Sequence, residues 1–176
     1  APAVWTSCSL HEPAATRKTA MSEQQQQAIF SIEKIYLKDL SLEVPGAPQV
    51  YTERVAPKID INLHNETREI EAGVYEVVLT VTVTAKLEND KTGFLVEAAQ
   101  AGIFQIRNIP AQELEMVLGI ACGNVLFPYL RESISSVVVR GGFPPFFLNH
   151  FNFEVIYQQR LQQQQEQQRA AAQPAS

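Results

Sequence analysis

The stretch that decides the fold class is Tyr75-Glu76-Val77-Val78-Leu79-Thr80-Val81-Thr82-Val83-Thr84-Ala85-Lys86-Leu87. Tyr75, Val77, Leu79, Val81, Val83 and Leu87 share one side of an extended chain, and Thr80, Thr82, Thr84 and Lys86 the other. A period of two, built largely from β-branched residues, suits a pleated and half-buried strand. One apolar face and one hydroxyl-bearing face predict a sheet covered on one side only, as antiparallel sheets commonly are.

Working outward from this strand, the same period recurs on either side. In a strand over 30–44, Leu40, Leu42 and Val44 alternate with Asp39, Ser41 and Glu43, until the Pro-Gly-Ala-Pro run at 45–48 stops it. Ile59, Ile61 and Leu63 alternate with Asp60, Asn62 and His64 in a second strand, followed by an expected polar loop over 65–73. A hairpin loop is expected over 88–93. A fourth strand over 94–106 sets Phe94, Val96 and Ala98 against Leu95, Glu97 and Ala99.

After Ile106 the period changes. Pro110 suits a helix start, and Leu114, Val117, Leu118 and Ala121 form its stripe. Gly123 is expected to break this helix and Asn124 to cap a second one, with Pro128 near its first turn. Leu126, Tyr129, Leu130, Ile134, Val137 and Val138 would supply the buried side of that second helix. Asn152 is expected to cap a third helix over 153–168 whose stripe is Phe153, Ile156, Tyr157 and Leu161. Strands first and helices later predict an α+β fold: a four-stranded antiparallel sheet with helices packed on one face.

The chain of 176 residues fits one domain. The predicted organisation is an upstream extension or cloning remnant over 1–20, a disordered start over 21–28, the folded domain over 29–168, and a disordered tail over 169–176. A hydrophobic share of 45% and a charged share of 19% are those of a chain that folds. The net charge of −5 argues against a backbone-reading nucleic-acid binder, which needs a basic surface.

The two cysteines, Cys8 and Cys122, form neither a disulfide framework nor a C-x-x-C, so a reducing compartment is the simpler expectation. There is no run of 18 apolar residues and no apolar stretch at the start, so membrane insertion is not expected and the cytoplasm is the expected location.

Catalytic signals are missing. Histidines stand at 11, 64 and 150, and H-E-x-x-H, G-x-S-x-G, Walker A and G-x-G-x-x-G do not occur. Cys122, in an apolar helical run, reads as a small buried hydrophobe rather than a nucleophile. Asp39 and Glu43 are four residues apart on one strand, about 13 Å, too far for a paired-carboxylate hydrolase. Neither an enzyme nor a cofactor or metal is expected. The unusual segment is Gly142-Phe143-Pro144-Pro145-Phe146-Phe147-Leu148, whose aromatics either lock a connection onto the core or line an apolar binding surface.

Five blocks in order resemble the SecB family of protein-export chaperones. Ile35-Tyr36-Leu37-Lys38-Asp39-Leu40-Ser41-Leu42-Glu43-Val44-Pro45 resembles its first strand, I-Y-x-K-D-x-S-x-E-x-P. Tyr75-Glu76-Val77-Val78-Leu79 matches its Y-E-V-V-L, and Gln100-Ala101-Gly102-Ile103-Phe104 its Q-x-G-I/V-F. The most specific block, Cys122-Gly123-Asn124-Val125-Leu126-Phe127-Pro128-Tyr129-Leu130-Arg131-Glu132, is close to C-P-N-x-L-F-P-Y-A-R-E. Arg140-Gly141-Gly142-Phe143-Pro144 and Asn152-Phe153 continue in register.

The resemblance implies a homotetramer, a dimer of dimers, that holds unfolded precursor proteins and delivers them to the translocation ATPase SecA. It also implies SecA contacts at Asp39, Glu43, Leu95 and Glu97, and an apolar client groove at Val55, Ile59, Ile61, Leu63, Ile156, Tyr157 and Leu161. The chain departs from the family where Val55 replaces a frequent Trp, where Met116-Val117-Leu118-Gly119-Ile120 replaces M-A-H-C-L, and where a Gln-rich tail replaces an acidic one. The alternative implied function is a SecB-like chaperone of an antitoxin or other dedicated client. The acidic positions of the sheet favour export.

Overall fold

The computed structural model describes residues 27–52, 57–87 and 91–172. Strands β1 (Ile29–Glu43), β2 (Lys58–Glu71), β3 (Val74–Lys86) and β4 (Thr92–Arg107) form one sheet in the order β1-β4-β3-β2, every pairing antiparallel. Because β1 and β2 lie at opposite edges, the connection between them crosses the sheet. It carries a 3₁₀ turn, Gln49–Thr52, pinned by buried Val50 and by the Tyr51 hydroxyl, which donates to the Gly141 carbonyl at 2.9 Å.

In β1 the apolar residues Phe30, Ile32, Ile35, Leu37, Leu40 and Leu42 are spaced two, three, two, three and two apart. A regular strand would throw every second pair to the wrong side. Two bulges absorb the extra residues, at Glu33 and at Lys38, where β1 advances two positions while β4 advances one. All six side chains therefore keep to the inner face, opposite Ile106, Phe104, Gly102, Gln100, Ala98 and Val96. This spacing is why the first half of the strand shows no clean alternation.

The predicted polar loop over 65–73 is a correction. β2 continues through Glu71, with Asn65 opposite Leu79 and Arg68 opposite Glu76, and only Ala72 and Gly73 make the turn. Residues 66–71 are exposed, so no apolar alternation betrays the strand; the ladder of main-chain hydrogen bonds to β3 holds it instead. At the far end, β3 stops at Lys86, so Leu87 lies past the strand, and residues 88–90 of the expected hairpin loop fall outside the described residues.

The two helices expected on either side of Gly123 are one continuous rod, Ala111–Arg140, which is the second correction. It consists of α1 (Ala111–Met116), a π-helical turn (Val117–Ala121) and α2 (Cys122–Arg140). Glycine in a helix interior costs only about 1 kcal/mol relative to alanine, less than packing returns here. A Cβ on Gly123 would sit 2.8 Å from the Phe153 ring, so the glycine admits that ring to the rod. Pro128 is inside α2 rather than in a first turn. Pro128 and Asn124 are both exposed, so the carbonyl that loses its N–H partner can be solvated.

Leu126, Leu130, Ile134 and Val138, an i, i+4 ridge, are fully buried against Val77, Leu79, Val81, Val83, Val96, Ala98 and Phe104 of the sheet. Tyr129, expected on this side, is 51% exposed: at about 100° per residue it falls about 60° outside the edge of the ridge that Leu126 marks. The rod is long and apolar enough to cross a membrane by length and hydropathy alone, although polar residues interrupt its apolar ones. Its apolar ridge is occupied by the sheet, as in the core helix of a globular fold.

The aromatic connection after α2 splits. Phe143 packs on Phe94 and Tyr51 with centroids at 4.7 and 5.5 Å, and Leu148 is buried in the core. Phe147 projects outward under the Arg131 guanidinium, 5.7 Å from its centroid. Helix α3 (Phe153–Ala172) begins at Asn152, whose Oδ1 accepts from the Glu154 and Val155 amides at 3.1 Å, and runs four residues past its expected end.

Gly123→Ala tests the packing account. Helix propensity alone predicts stabilisation by about 1 kcal/mol; the Phe153 clash predicts destabilisation by about 1–3 kcal/mol. Chemical denaturation showing an unchanged or raised midpoint would refute the role given to Gly123.

Candidate functional site

The helices cover one face of the sheet and leave the other open. Directly paired residues of an antiparallel sheet point the same way. On the open face the register aligns Glu43–Leu95–Thr84–Asp60, then Ser41–Glu97–Thr82–Asn62, then Asp39–Ala99–Thr80–His64. Asp39, Glu43, Leu95 and Glu97 are thus brought together on one face, across two adjacent strands about 4.8 Å apart. Glu97 is half-buried, and its Oε2 accepts from the Thr82 hydroxyl at 2.8 Å.

The sequence reading gave no role to two further carboxylates of this face. Asp60 extends the acidic end to β2; its hydrogen bond from Lys86, at 3.0 Å, holds its carboxyl below the usual range. Glu76 is buried farther along the face. It accepts from the Tyr36 hydroxyl and from Lys38 Nζ at 2.9 Å, with Arg68 at 3.5 Å. The hydrogen bonds from Tyr36 and Lys38 hold its carboxyl below the usual range, and the same bond pushes the Tyr36 hydroxyl above its own. Tyr36 and Lys38 are two residues apart in β1, so alternation puts both on the side of Glu76, and the bulge between Leu37 and Asp39 then returns Asp39 to that same side. The available signal was that Tyr36, Lys38 and Glu76 all fall in the quoted strand blocks.

A groove lies on the opposite side, between β2 and α3. Phe153 fills the space over Gly123, and Tyr157 lies over Gly119, where a Cβ would come within 3.0 Å of its ring. Beside them is a cavity of about 330 Å³ whose walls include Leu63, Asn65, Gly119, Phe153, Ile156 and Tyr157. A second of about 280 Å³ continues it past Thr67, Leu118 and Leu161.

Of the residues expected in a client groove, Leu63, Ile156, Tyr157 and Leu161 line these cavities. Ile59 packs against the core and Ile61 is exposed farther along β2; neither lines them. Val55 lies outside the described residues. Asn65 escaped the sequence reading because it sits where a loop was expected, and Gly119 because it read as a departure from a family pattern. A glycine inside a helical stripe is the signal that marks close approach.

Among the described residues, no group of three or more His, Cys, Asp or Glu is arranged to hold a metal ion. Cys122 is free and fully buried, and burial pushes its thiol up to about 12.

Residues 23–164 match the family of the preprotein translocase subunit SecB. The Protein-export protein SecB of Chromobacterium violaceum is 61% identical over 144 residues, covering 81% of this chain and 95% of the relative. That of Nitrosospira multiformis is 58% identical over 142 residues, covering 81% and 89%. The chain belongs to the SecB family. It is a chaperone of protein export. Among solved structures, the SecB-like chaperone of Mycobacterium tuberculosis, in complex with an antitoxin peptide, superposes with a TM-score of 0.59 at 17% identity, covering 70% of this chain and 91% of that one. At that identity the likeness bears on the fold, which is the SecB-like arrangement of four antiparallel strands and helices.

Because the folded-state pKa of Glu76 is lowered, its ionised form stabilises the fold above the ordinary carboxylate range. That contribution is lost as pH falls through the lowered value. Glu76→Gln is expected to lose about 1–3 kcal/mol at neutral pH, with the gap to the parent narrowing below about pH 4. A gap independent of pH in denaturant titrations would remove the ionic role. Cys122, for its part, is expected to resist maleimide in the folded protein and to react once denatured; rapid labelling under native conditions would contradict its burial.

Proposed function

We propose that this SecB chaperone binds unfolded segments of precursor proteins in the groove between β2 and α3, keeps them competent for translocation, and delivers them to SecA through the open sheet face. The observation that carries the reading is the β1–β4 register, which gathers Asp39, Glu43, Leu95 and Glu97 on a surface away from the groove. Client and SecA then need not compete for the same side chains. Carboxylates on a flat face steer a basic partner and fix its orientation, while Leu95 offers apolar contact. An extended segment can lay apolar side chains against Leu63, Ile156, Tyr157 and Leu161 without demanding one sequence. Several weak sites along one long client add through avidity.

The protein is further proposed to work in the cytoplasm as a homotetramer, a dimer of dimers, with no cofactor and no catalysed step of its own. Self-association would cover the inner row of edge strand β1, where Phe30, Ile32 and Leu37 are 42%, 46% and 45% exposed. The outward-facing Met116, Tyr129 and Val139 of the rod offer a second apolar surface. Dedication to an antitoxin client has less behind it than export, because the acidic face has no use in that role.

Replacing Asp39 and Glu97 together by Ala is expected to weaken SecA binding about tenfold or more, with a shallower dependence on salt than the parent shows. Unchanged affinity in calorimetric titration would refute the export surface. Native mass spectrometry with and without an unfolded precursor is expected to show a tetramer that gains a client, and a monomer that binds nothing would overturn the assembly and holding claims together.

A further inference from the structure

We propose that Thr82 is a positioning residue for SecA docking, holding the Glu97 carboxylate in the orientation that SecA reads; this rests on the export reading of the open face. Thr82 on β3 is directly opposite Glu97 on β4, on the same side of the sheet. Its hydroxyl donates to Glu97 Oε2 at 2.8 Å, within the range of a charge-assisted hydrogen bond. A glutamate on an open face has three rotatable bonds, and holding them fixed on binding costs conformational entropy. A β-branched residue has few χ1 rotamers and its main chain is locked in a central strand, so it is a stiff support. With Oε2 held, the carboxylate presents Oε1 to a partner's donors at a lower ordering cost.

The neighbouring threonines supply the internal contrast. Thr80 is opposite Ala99 and Thr84 is opposite Leu95, so neither has a carboxylate across from it on β4. The threonine row suits a strand for reasons of propensity alone, but only at Thr82 does the hydroxyl meet a charge proposed to contact SecA. On the other flank of Glu97 stands Ser41 of β1, so the carboxylate is bordered by hydroxyl-bearing residues rather than by a cation.

The test is titration of the full chain with purified SecA by calorimetry. Thr82→Val, which keeps the shape and removes the donor, is expected to weaken binding about threefold to tenfold. Thr82→Ser is expected to restore most of the loss, and Thr80→Val to have no such effect. In a Glu97→Ala background, which removes the acceptor, Thr82→Val is expected to add nothing, because the two residues act through one contact. If Glu97→Ala itself binds like the parent, the export reading of the face fails and the proposal with it. If Glu97→Ala weakens binding while Thr82→Val does not, or if Thr82→Val costs as much in the Glu97→Ala background as in the parent, the export reading stands and the positioning role is wrong.

Discussion

The register of β1 on β4 is the constraint from which the rest of the molecule follows. A strand has two sides, and a slip of one residue exchanges them. In β1 the two bulges keep Phe30 through Leu42 on the inner side although their spacing alternates between two and three. The same bulges return Asp39, Ser41 and Glu43 to the outer side, opposite Ala99, Glu97 and Leu95. Removing either bulge without shifting the turn would drive carboxylates against the helical rod or leave the core row in water. Both outcomes cost far more than a bulge does.

Much of this was legible because burial on one side imprints a period. The alternation in β3 and β4 revealed the sheet, its polarity and the faces of Leu95 and Glu97. The i, i+4 positions Leu126, Leu130, Ile134 and Val138 revealed the covering helix. What escaped were features with no period to read. The outer half of β2 is exposed, so its polar side chains looked like a loop. Gly123 looked like a stop because local propensity carries no information about Phe153, some thirty residues away. Glu76 looked like one polar residue among several, since its partners Tyr36, Lys38 and Arg68 come from two other strands. In each case a long-range contact decided against the local signal.

The helical rod illustrates how the chain uses small residues. Gly119 and Gly123 lie one turn apart, on the side where α3 crosses. Tyr157 and Phe153 lie at the same spacing on α3 and occupy the two gaps. A pair of glycines on one helix and a pair of aromatics on the other therefore seat the helices at close range. That seat fixes the distance between α3 and β2, and so the width of the groove. Larger residues at 119 or 123 would lift α3 and open the cavity walls before altering any residue proposed to touch a client.

Strand β2 joins the two surfaces most directly. Its pairing with β3 runs without irregularity from Lys58 to Glu69. Leu63 and Asn65 turn toward α3 and line the groove, while Asp60 and Asn62 turn to the open face; His64, opposite Thr80 on that face, also borders the groove cavity. Residues of the proposed client site and of the face proposed for SecA are thus neighbours in the chain, separated by a peptide unit and pointing apart. Displacement of β2 on β3 would disturb both at once, whereas a change of side chain on one side leaves the other intact. The unbroken ladder resists the first kind of change and permits the second, so a chaperone built this way can vary its clients without altering the surface that meets its partner.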